Sequence, residues 1–218
     1  MMIRIMYEFC DFLREHRVLG WKYIYRACKL LINIFYPILH MKSNKIGVDT
    51  NGTVIVSLSS YPERINKVWI TIETIMNQKI KPKKIILWLA EDLFPNKEED
   101  LPQSLIRLKK RGLEIRFCED LWPHKKYFFS MKAYPDDIIV TVDDDVLYPD
   151  NVLEQLWNIH LKYPYAVCCE RGHVVTYTKD GEFDKYNNWN SEIVGLMNPT
   201  LQLFPIGCGG VLYPPHLL

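Results

Sequence analysis

From about residue 52 onward, short apolar runs alternate with stretches that have helical spacing. The runs are nearly continuous rather than alternately apolar and polar, which is typical of strands covered on both faces by crossover helices. This succession predicts an α/β fold with a mostly parallel sheet. The predicted strands are 53–59, 84–90, 113–118, 137–142 and 166–169, and the predicted helices are 66–78, 102–112 and 148–162.

Charge divides the chain into a basic head and an acidic body. The 27 Lys and Arg and the 26 Asp and Glu of the 218 residues give a net charge of +1. Residues 1–46 hold eight of the basic residues and three of the acids, a charge of +5, which leaves −4 for the rest. The overall balance excludes a strongly basic nucleic-acid binder, so no nucleic acid partner is expected. A polar boundary near 41–52 predicts a helical segment at 1–46 and a separate domain at 52–218.

The head has the pattern of a basic amphipathic helix. Its basic residues recur every three or four positions, and apolar and aromatic residues lie between them. This pattern fits a helix on an anionic membrane surface, and it fits equally a helix packed on the body with a solvated basic stripe. The longest uncharged run, 30–41, is shorter than the ~20 residues that a spanning helix needs. The basic residues of the pattern are Arg14, Arg17, Lys22, Arg26 and Lys29.

The six cysteines show neither metal-site nor dithiol spacing. Cys118 and Cys168 fall inside predicted strands, where a thiol behaves as a small buried hydrophobe. Charges recur through the first residues, and no small-residue cleavage site follows an apolar core, so a signal peptide is not predicted. We therefore expect a reducing, cytoplasmic setting, with a peripheral position on the inner face of the cell membrane if the head binds lipid.

Three consecutive carboxylates, Asp143, Asp144 and Asp145, end the fourth predicted strand. Adjacent like charges at the end of a buried strand require a compensating cation or hydrogen-bond donors. Side chains alternate along a strand, so Asp143 and Asp145 are expected on the same side at the ligand edge of the sheet. Carboxylate oxygens suit Mg²⁺ or Mn²⁺ that carries substrate phosphates. The alternative is an acidic turn before the next helix, although Asp150 can cap that helix alone.

The other strand ends carry weaker signals for a nucleotide pocket. After the first strand, Tyr61 could stack on a base and Arg64 could reach a diphosphate. Glu91 or Asp92, after the second strand, could accept a hydrogen bond from a base. Lys126, before the fourth strand, could neutralise phosphate or lie on a helix surface. For each residue the alternative is an ordinary loop or surface position.

Four segments together resemble bacterial family 2-like glycosyltransferases of the GT-A fold, which build surface polysaccharides from nucleotide-sugars. The order of the segments along the chain also matches that family. The resemblance spans about residues 53–215, and its segments are 54–65, 81–89, 140–149 and 207–215.

The resemblance implies metal-dependent transfer of a sugar from a nucleotide-sugar to a glycan or lipid-linked acceptor, with inversion. By the same resemblance, Asp143 and Asp145 form a D-x-D motif that holds Mn²⁺ or Mg²⁺, with Asp144 beside the donor. Gly209 and Gly210 would belong to a close-packed loop by the donor sugar and the acceptor. Tyr61, Arg64, Glu91, Asp92 and Lys126 would then line the nucleotide pocket.

The general base has no assigned residue. In similar enzymes it lies in a segment beyond the glycine-rich strand, and this sequence stops at Leu218, so we expect a GT-A domain that is incomplete at its C-terminus. The acids of the polar stretch before that strand read as loop residues. Two alternatives stay open: a truncated, inactive nucleotide-sugar-binding remnant, and a nucleotidyltransferase, which would usually show a glycine-rich basic loop after the first strand. The acids of that stretch are Asp180, Glu182, Asp184 and Glu192.

Overall fold

The computed structural model describes residues 1–191 and 198–217, which form a layered α/β body and two N-terminal helices. The helices are α1 Met2–Glu15, α2 Trp21–His40, α3 Val68–Met76, α4 Gln103–Lys109, α5 Lys125–Ala133 and α6 Val152–Lys162. The strands are β1 Val54–Ser59, β2 Lys84–Ala90, β3 Leu113–Cys118, β4 Ile138–Thr141, β5 Cys168–Cys169, β6 Gly172–Val174, β7 Asn190–Ser191, β8 Leu203–Pro205 and β9 Val211–Tyr213.

The central sheet has six strands in the order β3-β2-β1-β4-β9-β5. β1 pairs in parallel with β2 and with β4, and β2 pairs in parallel with β3. β9 is antiparallel to its neighbours β4 and β5. The predicted α/β fold with a mostly parallel sheet is therefore confirmed.

Helices cover both faces of the sheet, as the unbroken apolar runs predicted. Val54, Val56 and Leu58 point to one face and pack with α3, α4 and α6. Ile55, between them, points to the other face and packs with α5 through Met131. The first five residues of β1 are therefore buried on one side or the other, which explains why the strand lacks polar alternation. Cys118 and Cys168 are buried in strands, as expected.

The N-terminal segment consists of two helices rather than one continuous amphipathic helix. Residues 16–20 break the helical path, and Gly20 there has a φ of +80°, a left-handed conformation that glycine adopts without a steric penalty. Arg14 and Arg17 therefore lie at and beyond the end of α1, and only Lys22, Arg26 and Lys29 share α2. We call α1 and α2 together the helical hairpin.

The helical hairpin packs on the body through one side. Ile3, Met6 and Cys10 of α1 and Ile32 and Tyr36 of α2 are buried together. Partly buried Ile70 of α3 and Leu147, which follows the acidic triplet, complete this cluster. The hairpin is thus attached next to the triplet. Within the described ranges, no helix combines the length and the apolar character needed to cross a membrane.

A smaller antiparallel sheet, in the order β7-β6-β8, lies along the chain between β5 and β9. Besides this sheet, two details differ from the sequence prediction. α5 was not among the predicted helices, and the N-cap residue of α6 is Asn151 rather than Asp150. Asp150 instead pairs with the Met1 amine at 2.8 Å and with Arg4 at 3.3 Å, so it attaches α1 to the body.

Candidate active site

The ends of β1 and β4 meet at the carboxyl edge of the sheet. The chain runs outward from β1 to β2 and β3 and then returns to the opposite side of β1 as β4, so the strand order reverses between β1 and β4. Ligands bind at such switch points in open α/β sheets. A cavity of about 720 Å³ opens there. Its walls include residues 59–64 after β1 and 143–145 after β4.

Asp144 is the buried member of the acidic triplet, with 8% of its surface exposed. Its carboxylate accepts hydrogen bonds from Ser60 Oγ at 2.6 Å and from an Arg64 guanidinium nitrogen at 2.8 Å. Thr71 Oγ1 of α3 donates to its backbone carbonyl at 3.0 Å. These donors compensate the buried charge, as the repulsion argument required. Asp144 thus ties the β1 loop, the β4 loop and α3 together.

Asp143 lies beside a lysine and a glycine. Lys126 Nζ contacts its carboxylate at 2.5 Å, and its backbone amide donates to the buried Tyr148 hydroxyl at 2.9 Å. A Cβ placed on Gly207 would lie 3.1 Å from Asp143 Oδ1. Glycine at 207 therefore keeps the space next to this carboxylate open, a role that the sequence reading of Gly209 and Gly210 missed.

Asp145 is the exposed member of the triplet, since 52% of its side chain is accessible. Arg64 bridges Asp144 and Asp145, at 2.8 and 2.9 Å. The pKa of Arg64 is raised, mainly by its hydrogen bond to Asp144 and despite partial desolvation. Arg64 also lies 5.3 Å from the centre of the Tyr61 ring. The predicted residues Tyr61, Arg64, Lys126 and the triplet therefore share one cavity.

The cavity has an excess of acid. Its walls carry three basic residues against five acidic ones, a formal charge of −2. A diphosphate would be repelled by this balance, and a divalent cation would cancel it. The charged residues of the walls are Arg64, Lys125, Lys126, Glu63, Asp120, Asp143, Asp144 and Asp145.

The donor set fits a hard cation that substrate phosphates help to hold. Asp143 and Asp145 offer carboxylate oxygens to the same cavity, and Mg²⁺ is commonly bound by one or two carboxylates plus substrate phosphates. Across residues 1–191 and 198–217, the structure shows no group of three or more His, Cys, Asp or Glu that could hold a metal without such help. Among the described residues, Asp143 and Asp145 would therefore need substrate phosphates to complete the ligands of such a cation.

A buried polar chain positions α5, which carries Lys126. Trp88 Nε1 donates to Ser130 Oγ at 2.7 Å, and Ser130 Oγ donates to Ser57 Oγ at 2.8 Å. Ser57 Oγ in turn donates to the Lys126 carbonyl at 2.5 Å. β1, β2 and α5 are linked through this chain, so the start of α5 is held over the cavity.

Trp122 is a cavity residue that the sequence reasoning did not single out. It is 76% exposed at the wall of the cavity, with a φ of +54°. Its backbone amide donates to Asp120 Oδ1 at 2.9 Å, and Lys125 Nζ contacts the same carboxylate oxygen. The pKa of Asp120 is lowered chiefly by the Lys125 hydrogen bond. Exposure of a large indole in a conformation uncommon for side-chain-bearing residues marks Trp122 as a ligand-contact candidate.

A second cavity, of about 610 Å³, lies between the helical hairpin and the body. Asp145 borders both cavities. Glu170, directly after β5, lines the second one, and its side chain is accessible there. The pKa of Glu170 is raised to about 7 because the surrounding protein desolvates the carboxylate. Sequence offered no signal for Glu170, since it stands alone between Cys169 and Arg171 in an unremarkable segment.

Other candidate residues lie elsewhere. Glu91 and Asp92 do not line the first cavity, and Glu91 pairs with Lys97 at 3.4 Å. Gly209 lines the second cavity, and Gly210 lies directly before β9.

The three described loop acids, Asp180, Glu182 and Asp184, line neither cavity. Asp180, Glu182 and Asp184 belong to the stretch between β6 and β7, and Asp184 bonds to Asn188 at 2.8 Å. Glu192 lies outside the described residues.

Comparison with known proteins gives only distant likenesses. No protein-family model matches the sequence, and a search of curated proteins finds no match. Among solved structures, a mannosyltransferase from Pyrobaculum calidifontis in complex with GDP-Man and Mn²⁺ aligns with a TM-score of 0.42 and 15% identity, over 66% of this chain and 46% of that one. The inositol-1-phosphate CTP transferase from T. maritima aligns with a TM-score of 0.39 and 12% identity, over 74% and 69%.

The chain thus spans less than half of the mannosyltransferase it aligns with. Both likenesses are too loose to support an argument about substrate or mechanism.

Proposed function

We propose that this protein transfers a sugar from a nucleotide-sugar donor to a glycan or lipid-linked acceptor in cell-surface polysaccharide biosynthesis. The observation that carries the proposal is the acidic cavity at the switch point, where Asp143 and Asp145 face the same space as Arg64 and Lys126. The motif resemblance to family 2-like glycosyltransferases supports the same assignment. Within this proposal the protein works in the cytoplasm, at the inner face of the cell membrane.

The donor occupies the first cavity. Tyr61 and Trp122 offer aromatic surfaces at its walls for the base or the sugar. Arg64 and Lys126 supply positive charge to the diphosphate, and Asp144 keeps Arg64 in place from behind. This division of labour explains why one carboxylate of the triplet is buried and the other two are accessible.

Mn²⁺ or Mg²⁺ would be held by Asp143 and Asp145 together with the donor's phosphates. When bound, the cation offsets the charge that develops on the leaving nucleoside diphosphate. Arg64 and Lys126 orient the donor. The same two side chains contact Asp145 and Asp143 and hold these carboxylates at the end of β4.

Glu170 is the proposed general base. It lines the second cavity, which shares Asp145 with the donor cavity, so an acceptor in the second cavity would lie beside Glu170. A carboxylate with a pKa of about 7 is partly ionised at neutral pH and still basic enough to take the hydroxyl proton. Attack from the acceptor side, opposite the leaving diphosphate, gives inversion. The charged residues around this cavity are Arg4, Glu8, Asp11, Lys29, Asp145 and Arg171.

The metal role of Asp145 is tested by donor binding. We expect Asp145→Asn to lose the Mn²⁺-dependent part of nucleoside diphosphate affinity, because one of the two accessible carboxylates then loses its charge. The measurement is calorimetric titration with UDP and GDP, with and without Mn²⁺. Asp92→Asn, an exposed acid outside the cavity, is the matched control and should bind as the unmodified protein does.

Unchanged Mn²⁺-dependent affinity in Asp145→Asn would refute the metal assignment. Binding of a nucleoside diphosphate without release from any nucleotide-sugar, over a panel of glycan and lipid-linked acceptors, would instead support the inactive-remnant alternative. The nucleotidyltransferase alternative gains no support from the loop at 60–67, which contains no glycine.

A further inference from the structure

One side of α2 exposes a row of large apolar side chains. Along the second half of this helix, six such residues have between 49% and 65% of their surface accessible. Their spacing of one, three and four residues places them on one side of a helix with 3.6 residues per turn. We call this set the outer apolar face: Leu30, Leu31, Ile34, Phe35, Ile38 and Leu39.

α2 exposes this face although another side of the same helix is packed against the protein. Ile32 and Tyr36, on another side of α2, are 7% and 5% exposed and pack against α1 and the body. Tyr25 and Cys28 extend the same packed side. α2 therefore has one apolar side that the protein covers and a second that it leaves accessible. Exposed apolar surface of this extent marks an interaction site.

A basic stripe borders the outer apolar face. Lys22, Arg26 and Lys29 recur every three or four residues on a third side of α2; all three are exposed, and Lys29 also borders the second cavity. Residues 1–46 as a whole carry a charge of +5. An apolar side next to a basic one is the arrangement of helices that lie in the interface of a bilayer containing anionic lipid.

We propose that α2 lies flat in the surface of an anionic membrane, with the outer apolar face at the acyl boundary and the basic stripe among the headgroups. The charge of the segment favours lipid over a second copy of the chain. The segment has only three acids to meet eight basic residues, so a symmetric contact between two hairpins leaves the stripe without partners. The other helix of the hairpin, α1, also exposes apolar side chains, since Phe9 and Phe12 are 48% and 54% exposed.

This inference is independent of the transferase activity. It specifies the side of the hairpin that meets lipid. The periodicity of the basic residues alone fitted equally a helix on a membrane and a helix packed on the body. The body then stays on the cytoplasmic side of the surface, with the cavity next to the hairpin close to lipid-linked molecules.

The test is vesicle flotation of the full chain. We expect the protein to float with vesicles of phosphatidylcholine and phosphatidylglycerol. With vesicles of phosphatidylcholine alone, it should remain in the bottom fraction of the gradient. Leu31→Ser combined with Phe35→Ser should lower the partition coefficient by at least about tenfold, since two apolar side chains that the membrane would bury are lost. Lys22→Gln, Arg26→Gln and Lys29→Gln together should lower it on the order of a hundredfold.

Leu161→Ser is the matched control, because Leu161 is 62% exposed near the C-terminal end of α6 and belongs neither to the hairpin nor to its packed cluster. It should float as the unmodified protein does, and circular dichroism should show equal helix content in all variants. Flotation of the Leu31→Ser, Phe35→Ser variant at the level of the unmodified protein would overturn the proposal. So would a dimer in lipid-free light scattering that this variant dissociates, combined with no flotation of the unmodified protein. Nucleoside diphosphate titration of the same variants reports separately on the donor site.

Discussion

Asp144 and its two neighbours show how three identical residues acquire different roles from their surroundings. Asp144 is nearly buried and receives Ser60 and Arg64, so its negative charge is stabilised locally. Asp143 contacts Lys126, and Asp145 is half-exposed beside Arg64. The three adjacent negative charges are therefore compensated by Lys126 at Asp143, by Ser60 and Arg64 at Asp144, and by the same Arg64 at Asp145. Two carboxylates remain accessible to a ligand, and one serves the structure of the loop.

Glu170 gives a prediction at the scale of a single side chain. Glu170→Gln should lower turnover by about 10²–10⁴-fold while leaving donor binding unchanged, because the amide cannot take a proton. In the unmodified protein, kcat/KM should rise with pH through about 7, since only the ionised carboxylate acts as a base. The measurement is nucleoside diphosphate release against pH, with an acceptor that supports turnover.

Glu182→Gln is the control for Glu170, because Glu182 is an exposed acid that lines neither cavity. It should leave both the rate and the pH profile unchanged. A Glu170→Gln variant that keeps the full rate would show that another group takes the proton. A reduced rate with the pH profile intact would show that Glu170 only positions the acceptor.

At the scale of elements, one buried ion pair joins α3 to the turn between α4 and β3. Glu73 of α3 is fully buried, and Arg111 contacts its two carboxylate oxygens at 2.5 and 2.8 Å. Arg111 also donates to the Lys45 carbonyl at 2.7 Å and to Ser43 Oγ at 3.2 Å. One guanidinium thus fixes α3 and the segment between the hairpin and β1.

Removal of one partner of this pair should be costly. We expect Glu73→Gln to lower the free energy of unfolding by about 3–5 kcal/mol, because Arg111 would remain buried without its counter-charge. Glu98→Gln is the matched control, since Glu98 pairs with Lys109 at 2.5 Å on the surface and should contribute at most about 1 kcal/mol. Urea denaturation of both variants measures the difference. Equal losses in the two variants would contradict the argument from burial.

At the scale of the whole molecule, the donor cavity links two parts of the fold that are distant in sequence. Ligand that binds there contacts the loops after β1 and β4 and the start of α5, so binding should oppose unfolding of the entire sheet. With GDP or UDP at about a hundred times its dissociation constant and Mn²⁺ present, stabilisation is about 2.7 kcal/mol. For a chain of this size, the midpoint should rise by about 5–10 °C.

Differential scanning fluorimetry measures this shift, with guanosine and uridine as controls that lack the diphosphate. We expect nucleosides to produce little change, and nucleoside diphosphates without Mn²⁺ to produce a smaller rise, because the cavity walls carry a formal charge of −2. An equal rise with and without the metal would contradict the electrostatic argument for a cation.

The local pattern of the chain was sufficient to predict much of the body. β2 and β3 have the predicted bounds, and β1 and β4 differ from the prediction by one or two residues at their ends. Strands covered on both faces need continuous apolar runs, so their sequence signal is strong. α5 has a weak apolar pattern, with three of its nine residues buried, two of them Lys125 and Ser130, and its helical state depends on packing against β1, β2 and β4.

The sequence by itself determined the mostly parallel α/β sheet, the acidic strand end and the basic head, because each depends on neighbouring residues within one run. Only the tertiary structure decided which acid of the triplet is buried, that Trp122 and Gly207 belong to the site, and that Glu170 lines a cavity next to Asp145. The same holds for the division of α2 into a packed side and an exposed apolar side. These features depend on groups that are far apart in the sequence and meet only in the folded protein. Whether a side chain is buried, charge-compensated or exposed is set by those neighbours and not by its residue type.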